Sequence, residues 1–247
     1  MSVSRRRVLA IFRKELREYR RNGFIVLTMG IYPLIFLIQP LVVVFLLPAS
    51  ASAGLGHEHL LLYILGIPAL VPAAVAAYAV VGERQQGTLE PVLTTPIRRE
   101  ELVLGKALAA LVPSVAIAYA VSALFLACVA LFARPGVAPA LIRGPDLLAQ
   151  LLFTPLLAAW SIWVGTAISI RASDFRVAQQ LSLLAGLPAA VVAALVAFDV
   201  IHPTLGLALG LAAALLLADG LGWRVTSASF DRERLVTARR AGSWSRG

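Results

Sequence analysis

Six long apolar stretches constrain the fold of this chain more than any other feature of its sequence. They lie at 24–47, 60–82, 107–133, 147–170, 177–198 and 203–223, and only the last contains a charged residue, Asp219. A helix of about 20 apolar residues crosses the hydrocarbon core of a bilayer. Lipid offers no partner for backbone N–H and C=O groups, and the stretches lack the alternation of a membrane strand. The sequence therefore predicts an all-α membrane protein with six transmembrane helices.

The composition supports this prediction and excludes several soluble classes of protein. Of the 247 residues, 60% are hydrophobic and 14% are charged, whereas a soluble domain has about 25% charged residues. These values exclude a disordered chain and a small secreted domain held by disulfides. Cys128 is the single cysteine, so neither an intrachain disulfide nor a cysteine metal cluster can form.

The basic residues predict how the chain is oriented in the membrane. The formal net charge is +9, and nearly all of the 22 Lys and Arg residues fall in alternate segments between the apolar stretches, beginning with the first. Basic residues mark the cytoplasmic side. We therefore expect a multi-pass protein of the cell (inner or plasma) membrane with both termini cytoplasmic, N-in/C-in. The positive charge then faces membrane lipid, and no nucleic acid is expected as a partner.

Residues 1–23 carry the pattern of an amphipathic helix. Val8, Phe12, Leu16 and Tyr19 recur at three- and four-residue spacing, and basic residues flank them. Such a helix is suited to lie in the headgroup plane before the first span, as an interfacial elbow helix. A solvated cytoplasmic helix is the alternative.

Segment 83–106 is the longest polar stretch between two spans, and we expect it in the cytoplasm. Leu89, Val92 and Leu93 are spaced as in a short amphipathic helix. Thr95 before Pro96 predicts the N-cap of a second helix, which leads into the third span. On the residues alone, the segment either docks a partner through its apolar ridge or caps the bundle as ordinary surface.

The same segment argues against a nucleotide site within this chain. Gly82 and Gly87 have the glycine spacing of a phosphate-binding loop, but Thr88 and Leu89 stand where Lys and Ser or Thr are required. If ATP supplies energy, another polypeptide must bind it.

The motifs in this segment resemble those of a known family. Glu83-Arg84-x-x-Gly87-Thr88-Leu89-Glu90, then Thr95-Pro96-Ile97 and Leu104-Gly105-Lys106, are similar to the membrane subunit of ABC-2 type exporters. The resemblance implies a permease that pairs with a second copy or a related permease chain and with two soluble ATP-binding cassette ATPase subunits. ATP and Mg are bound by those partner subunits, and this chain needs no cofactor of its own.

The resemblance also implies which residues couple ATP hydrolysis to movement. The loop between spans two and three is the main coupling element, and the short loop 171–176 is the second contact. The residues implied in coupling are Glu83, Arg84, Gly87, Thr88, Leu89, Glu90, Thr95, Pro96, Ser173 and Asp174.

The predicted organisation is an elbow helix at 1–23, a six-span ABC-2 transmembrane domain at 24–226 with its coupling loop at 83–106, and a basic cytoplasmic tail at 227–247. The predicted function is a permease that forms the translocation pathway of an ATP-driven exporter by alternating access. It is not itself an enzyme. Two alternatives remain open: an ATP-independent secondary transporter or channel, and a membrane-embedded lipid-modifying enzyme.

Other polar residues carry weaker indications of chemistry. His57-Glu58-His59 precedes the second span on the outer side, where a solvated loop is favoured over a metal site because no third ligand is evident. His202 is expected to face solvent beside Asp199. Asp219 is expected to reach the interface or to pair with Arg224 or another basic residue rather than to bind substrate. The sequence assigns no catalytic residue, no metal ligand and no substrate-binding residue.

Overall fold

A computed structural model describes residues 3–46, 58–86, 98–134 and 137–229. These residues form helices joined by short connections, with no strand among them. The helices are α1 (Arg5–Arg21), α2 (Gly23–Leu46), α3 (Leu60–Tyr63), α4 (Gly66–Gln86), α5 (Arg99–Phe132), α6 (Val137–Leu141), α7 (Gly144–Arg171), α8 (Phe175–Ala197) and α9 (Leu205–Ser229). Six helical segments are long and apolar enough to cross a membrane. The prediction of an all-α protein with six spans is confirmed.

The second span is broken, which the sequence analysis did not predict. A turn at Ile64 and Leu65 separates α3 from α4. Here the amides of Ile64, Leu65 and Ile67 each donate to the carbonyl three residues earlier, at 3.2, 3.0 and 3.0 Å. Pro68 follows in the first turn of α4, where its missing N–H is tolerated because first-turn amides have no helical partner.

Helix α4 forms the centre of the bundle. In the most apolar stretch of Leu60–Glu83, which comprises α3, the turn and most of α4, 94% of the residues are buried, against 6% in that of α9. The closest neighbours of α4 are α7 and α8, and α2 and α5 pack beside them. A Cβ added at Gly165 of α7 would lie 2.6 Å from the carbonyl oxygen of Ala73, so a glycine is needed for this close approach. Small residues in α4 therefore allow several helices to pack around it.

Hydroxyl side chains of α7 add directed contacts to this apolar interface. Ser161 donates to the carbonyl of Ala69 at 2.6 Å, and Ser169 donates to that of Ala77 at 2.7 Å. These serines are buried, so their hydrogen bonds fix α7 against α4 in one register.

The two ends of the central segment that contains α4 contact different elements, and they are called the Glu83 end and the His59 end after a residue at each. At the Glu83 end, the last turn of α4 meets α1, the first turns of α5 and the loop between α7 and α8. At the His59 end, α3 meets the first turn of α7 and the last turn of α8. Helix α5 begins at Arg99 with Arg98 as its N-cap, and Glu101 accepts the Arg98 amide at 3.1 Å. The predicted N-cap Thr95 lies outside the described residues.

Candidate functional site

A closed ring of alternating charges lies at the Glu83 end. Glu15 of α1 accepts from Lys14 at 3.3 Å and from Lys106 of α5 at 3.0 Å. Glu83 of α4 accepts from Lys106 at 2.9 Å and from Lys14 at 2.7 Å. One oxygen of each carboxylate thus sits between two ammonium groups. These four residues are called the Glu83 ring, and they join three helices.

Most of the ring is shielded from solvent. Glu15, Glu83 and Lys106 are 2%, 3% and 4% exposed, and Lys14 closes the ring toward the surface. Burying charges is costly unless each has a partner and hydrogen bonds, and here two positive charges face two negative ones. Burial lowers the pKa of Lys14, but the carboxylates of Glu15 and Glu83 more than offset this effect, so its pKa is raised and it stays charged.

Three of the four ring residues, Lys14, Glu15 and Lys106, were not among the site residues predicted from the sequence. Glu15 falls on the buried face of α1 with Val8, Ile11 and Tyr19, although the rest of that face is apolar. Lys106 was named from the sequence only as part of the family motif Leu104-Gly105-Lys106, without a role. An acidic residue on an otherwise apolar helix face is the sequence signal that points to a buried cation, but it does not say which cation.

A second contact anchors the start of α1. Glu101 of α5 is buried and accepts the backbone amide of Ser4 at 2.9 Å and Arg7 at 3.4 Å. Between this contact and the ring, α1 lies directly on α5: a Cβ added at Gly105 would be 2.6 Å from Ile11 and 3.3 Å from the Val8 carbonyl. Helix α1 is therefore fixed to α5 at two points, with a close apolar contact between them.

The structure brings together part of the predicted coupling set. Glu83 is in the ring, and Arg84 lies in the last turn of α4. Ser173 and Asp174 are exposed in the loop between α7 and α8, where Asp174 caps α8 by accepting the Arg176 amide at 2.7 Å. The other predicted coupling residues lie outside the described residues: Gly87, Thr88, Leu89, Glu90, Thr95 and Pro96.

The α7–α8 loop is attached to the same end of the bundle. Phe175 packs edge-on against Tyr78 of α4 and Phe24 of α2, with ring centroids 5.5 and 5.0 Å apart. Ala172 packs with Val81, one turn before the end of α4. Glu83 and the exposed pair Ser173 and Asp174 thus belong to one end of the molecule.

The carboxylates at this end do not need a metal ion. Oxygens of Glu15, Glu18 and Glu83 lie within 4.8 Å of one another, close enough to share a cation. Lys14 already reaches all three, and Lys106 reaches Glu15 and Glu83. The lysine ammonium groups supply the positive charge that a metal would otherwise supply.

The remaining polar candidates correct two expectations and confirm one. His59 is not in a solvated loop: its Nδ1 lies 2.7 Å from Asp146 Oδ1, and its side chain is 13% exposed. Asp219 does not pair with Arg224, because residues five apart on a helix point about 140° away from each other, and its Oδ1 is buried without a hydrogen bond among the described residues. The other expectation, that Asp219 reaches the interface, stays a prediction. His202 is 80% exposed and lies 2.8 Å from Asp199, as predicted.

Comparison with known proteins identifies the family. The family model described as ABC-2 family transporter protein matches residues 9–223, which include five of the six apolar helices, most of the sixth and the whole Glu83 ring. No curated protein matches the chain. The match covers most of the sequence and agrees with the motifs read from segment 83–106, so this multi-pass membrane protein belongs to the ABC-2 family of transporter proteins.

Proposed function

We propose that the chain is the permease subunit of an ATP-driven exporter and that a separate ATPase drives it from the Glu83 end. Members of this family normally pair with an ATP-binding subunit. The chain forms the translocation pathway and carries out no covalent chemistry. Transport then follows alternating access, with ATP binding and hydrolysis confined to the partner.

The observation that carries this proposal is the position of the Glu83 ring. Helix α4 ends at Gln86 and α5 begins at Arg99, so segment 87–97 connects two helices that the ring joins. The ring connects both of these helices to α1. A force applied to segment 87–97 would therefore move three helices as one block instead of bending a single loop.

A second contact point fits the same arrangement. Ser173 and Asp174 are exposed at the Glu83 end, in the loop that joins α7 to α8. A partner touching both this loop and segment 87–97 holds α4 and α5 with one contact and α7 and α8 with the other. Closure of the partner would then change the angle between the two helix pairs.

The same proposal orients the chain in the membrane. The buried face of α1 packs on α5, and its outer face exposes Arg13, Arg17 and Arg20. Such a helix lies in the cytoplasmic headgroup plane, where arginines meet anionic lipid. The Glu83 end is then cytoplasmic together with both termini, and the His59 end faces outward. Tags at residues 90 and 240 are expected on the same side of the bilayer.

Two further parts of the proposal concern assembly and direction. A second copy of this chain or a related permease completes the pathway, because the centre of the single bundle is filled by the segment Leu60–Glu83, whose most apolar stretch is 94% buried. Cargo leaves at the His59 end. An ATP-independent transporter or channel is the competing function, and it differs in requiring no ATPase.

The test is reconstitution with and without the partner. The chain is purified together with the soluble protein that carries a complete GxxxxGK[ST] loop, and both are placed in proteoliposomes. Transport is expected only with ATP, and it should be lost when the phosphate-binding lysine of the partner is replaced by alanine. Cargo movement by this chain alone, without ATP, would contradict the proposal and support a channel or secondary transporter.

A further inference from the structure

The His59 end contains an apolar cavity that the proposed coupling mechanism does not use. Its volume is about 290 Å³, and it lies between α3, α7, α8 and α9. Leu62, Phe153, Leu157, Val196 and Leu211 are among its walls, and Thr204 is the one polar residue that lines it. Along α9 it extends from Thr204 to Leu215, about 16 Å at the helical rise.

Acidic residues do not line this cavity, but at the His59 end they lie about one helical turn from residues that do. Asp146 is one turn before Ala149 on the cavity-lining face of α7, and His59 is one turn before Leu62. His59 also donates its backbone amide to the Ala197 carbonyl at 2.7 Å, beside Val196. The His59–Asp146 pair therefore connects the three elements that form this end.

The pair does not satisfy all of the acidic oxygens present there. The Asp146 side chain is 4% exposed, and its Oδ2 has no hydrogen-bond partner. Glu58 Oε2 is also buried without a partner. Asp146 and Glu58 thus each keep one buried carboxylate oxygen without a hydrogen bond among the described residues.

A third carboxylate lies beyond the other end of the cavity. Asp219 follows Leu211 and Leu215 at four-residue spacing and so shares their face of α9. Its Oδ1 is buried and has no hydrogen-bond partner. Apolar walls with acidic groups beyond both ends favour a molecule with an apolar body and a positive charge.

We propose that this cavity binds a lipophilic cation, with the apolar body between α7, α8 and α9 and the positive charge beside Asp146 and Glu58. The inference names the class of cargo, and only the statement that the bound molecule is exported rests on the proposed function. An anion of the same shape would meet the same walls but would be repelled by the carboxylates.

The test uses two ions of matched shape and opposite charge. Tetraphenylphosphonium and tetraphenylborate are titrated into the purified full chain in nanodiscs, and uptake by empty nanodiscs is subtracted. Tetraphenylphosphonium is expected to bind about tenfold or more tightly than tetraphenylborate. Equal binding of the two ions would overturn the proposal.

Variants locate the binding site. Ala208→Trp fills the cavity and should abolish binding of the cation, whereas Ala213→Trp, on the exposed face of the same helix, should leave it unchanged. Asp146→Asn keeps an oxygen for His59 but removes the charge, so cation affinity should fall about tenfold. If this variant does not fold, Glu58→Gln provides the same charge test with a less buried residue.

The outcomes separate this inference from the proposed function. Binding is measured without ATP and without the partner, so failure of ATP-driven transport leaves the binding result intact. Unchanged cation binding in Ala208→Trp would overturn the cavity as the site. If the wild-type chain binds tetraphenylphosphonium and tetraphenylborate equally while ATP-dependent transport is observed, the proposed class of cargo is wrong and the proposed function stands.

Discussion

The two ends of α4 are held in different ways. At the Glu83 end, a closed ring of four charged residues joins α1, α4 and α5, and three of the four are almost fully buried. At the His59 end, the one ion pair with both side chains largely buried, among the residues that the structure describes there, is His59 with Asp146, and an apolar cavity lies beside it. A single central helix is thus anchored firmly at one end and lightly at the other.

This difference suits a protein that receives force at one end and opens at the other. A buried ring resists separation because moving one member leaves the others unpaired in a medium of low dielectric constant. An apolar cavity has few directed contacts, so the helices around it can separate at lower cost. The comparison predicts that substitutions at the Glu83 end cost more stability than equivalent substitutions at the His59 end.

The largest effect is expected from Lys106→Met. The variant leaves Glu15 and Glu83 facing each other with only the partly exposed Lys14 between them, and the cost should be about 3–5 kcal/mol. Thermal unfolding of the purified chain in detergent measures it. The double variant Lys106→Met with Glu15→Met should recover part of the loss, and strict additivity of the two changes would argue against a ring.

A smaller effect is expected from His59→Ala at the opposite end. The change leaves buried Asp146 without its partner, at a cost of about 1–3 kcal/mol. His202→Ala is the matched control, since its histidine also faces an aspartate but is 80% exposed. If His59→Ala destabilises the chain more than Lys106→Met does, the contrast between the two ends is wrong.

Gly105→Val tests the apolar contact that accompanies the ring. The added Cβ would overlap Ile11, so α1 must move away from α5, at a cost of about 1–3 kcal/mol. Faster trypsin cleavage at the arginines of α1 is the expected readout. Gly23→Val, where an added Cβ meets no atom within 4 Å, should keep the wild-type cleavage rate.

The smallest effect at the Glu83 end should come from Glu18→Gln. Glu18 contacts Lys14 at 3.1 Å, but its side chain is 44% exposed. Exposed pairs of this kind contribute less than about 1 kcal/mol. An unfolding temperature close to that of wild type would show that the stabilising charges are those of the four ring residues. A large decrease in unfolding temperature would show that Glu18 also belongs to the stabilising cluster.

The spans were predictable because each depends only on local sequence. Apolar length and the absence of charge determine a membrane helix without reference to the rest of the chain, and the family motifs in segment 83–106 pointed to Glu83. The interruption at Ile64 and Leu65 was missed because a short turn stabilised by bonds to the third residue back leaves no distinct compositional signal.

The partners of buried charges were not predictable. Glu83 meets Lys14 across 69 positions of sequence, and His59 meets Asp146 across 87. Such pairings follow from how helices pack, so spacing within one segment cannot reveal them. The same reason explains why His59 was assigned to a solvated loop.

The most direct test of the central claim is ATP hydrolysis by the assembled complex in proteoliposomes, compared between Glu83→Gln and Glu18→Gln. Each variant removes one carboxylate charge that contacts Lys14, but only Glu83 belongs to the buried ring. The account predicts that cargo-stimulated hydrolysis falls about tenfold or more in Glu83→Gln and stays near the wild-type rate in Glu18→Gln. Equal rates in wild type and both variants, at equal amounts of assembled complex, would contradict it.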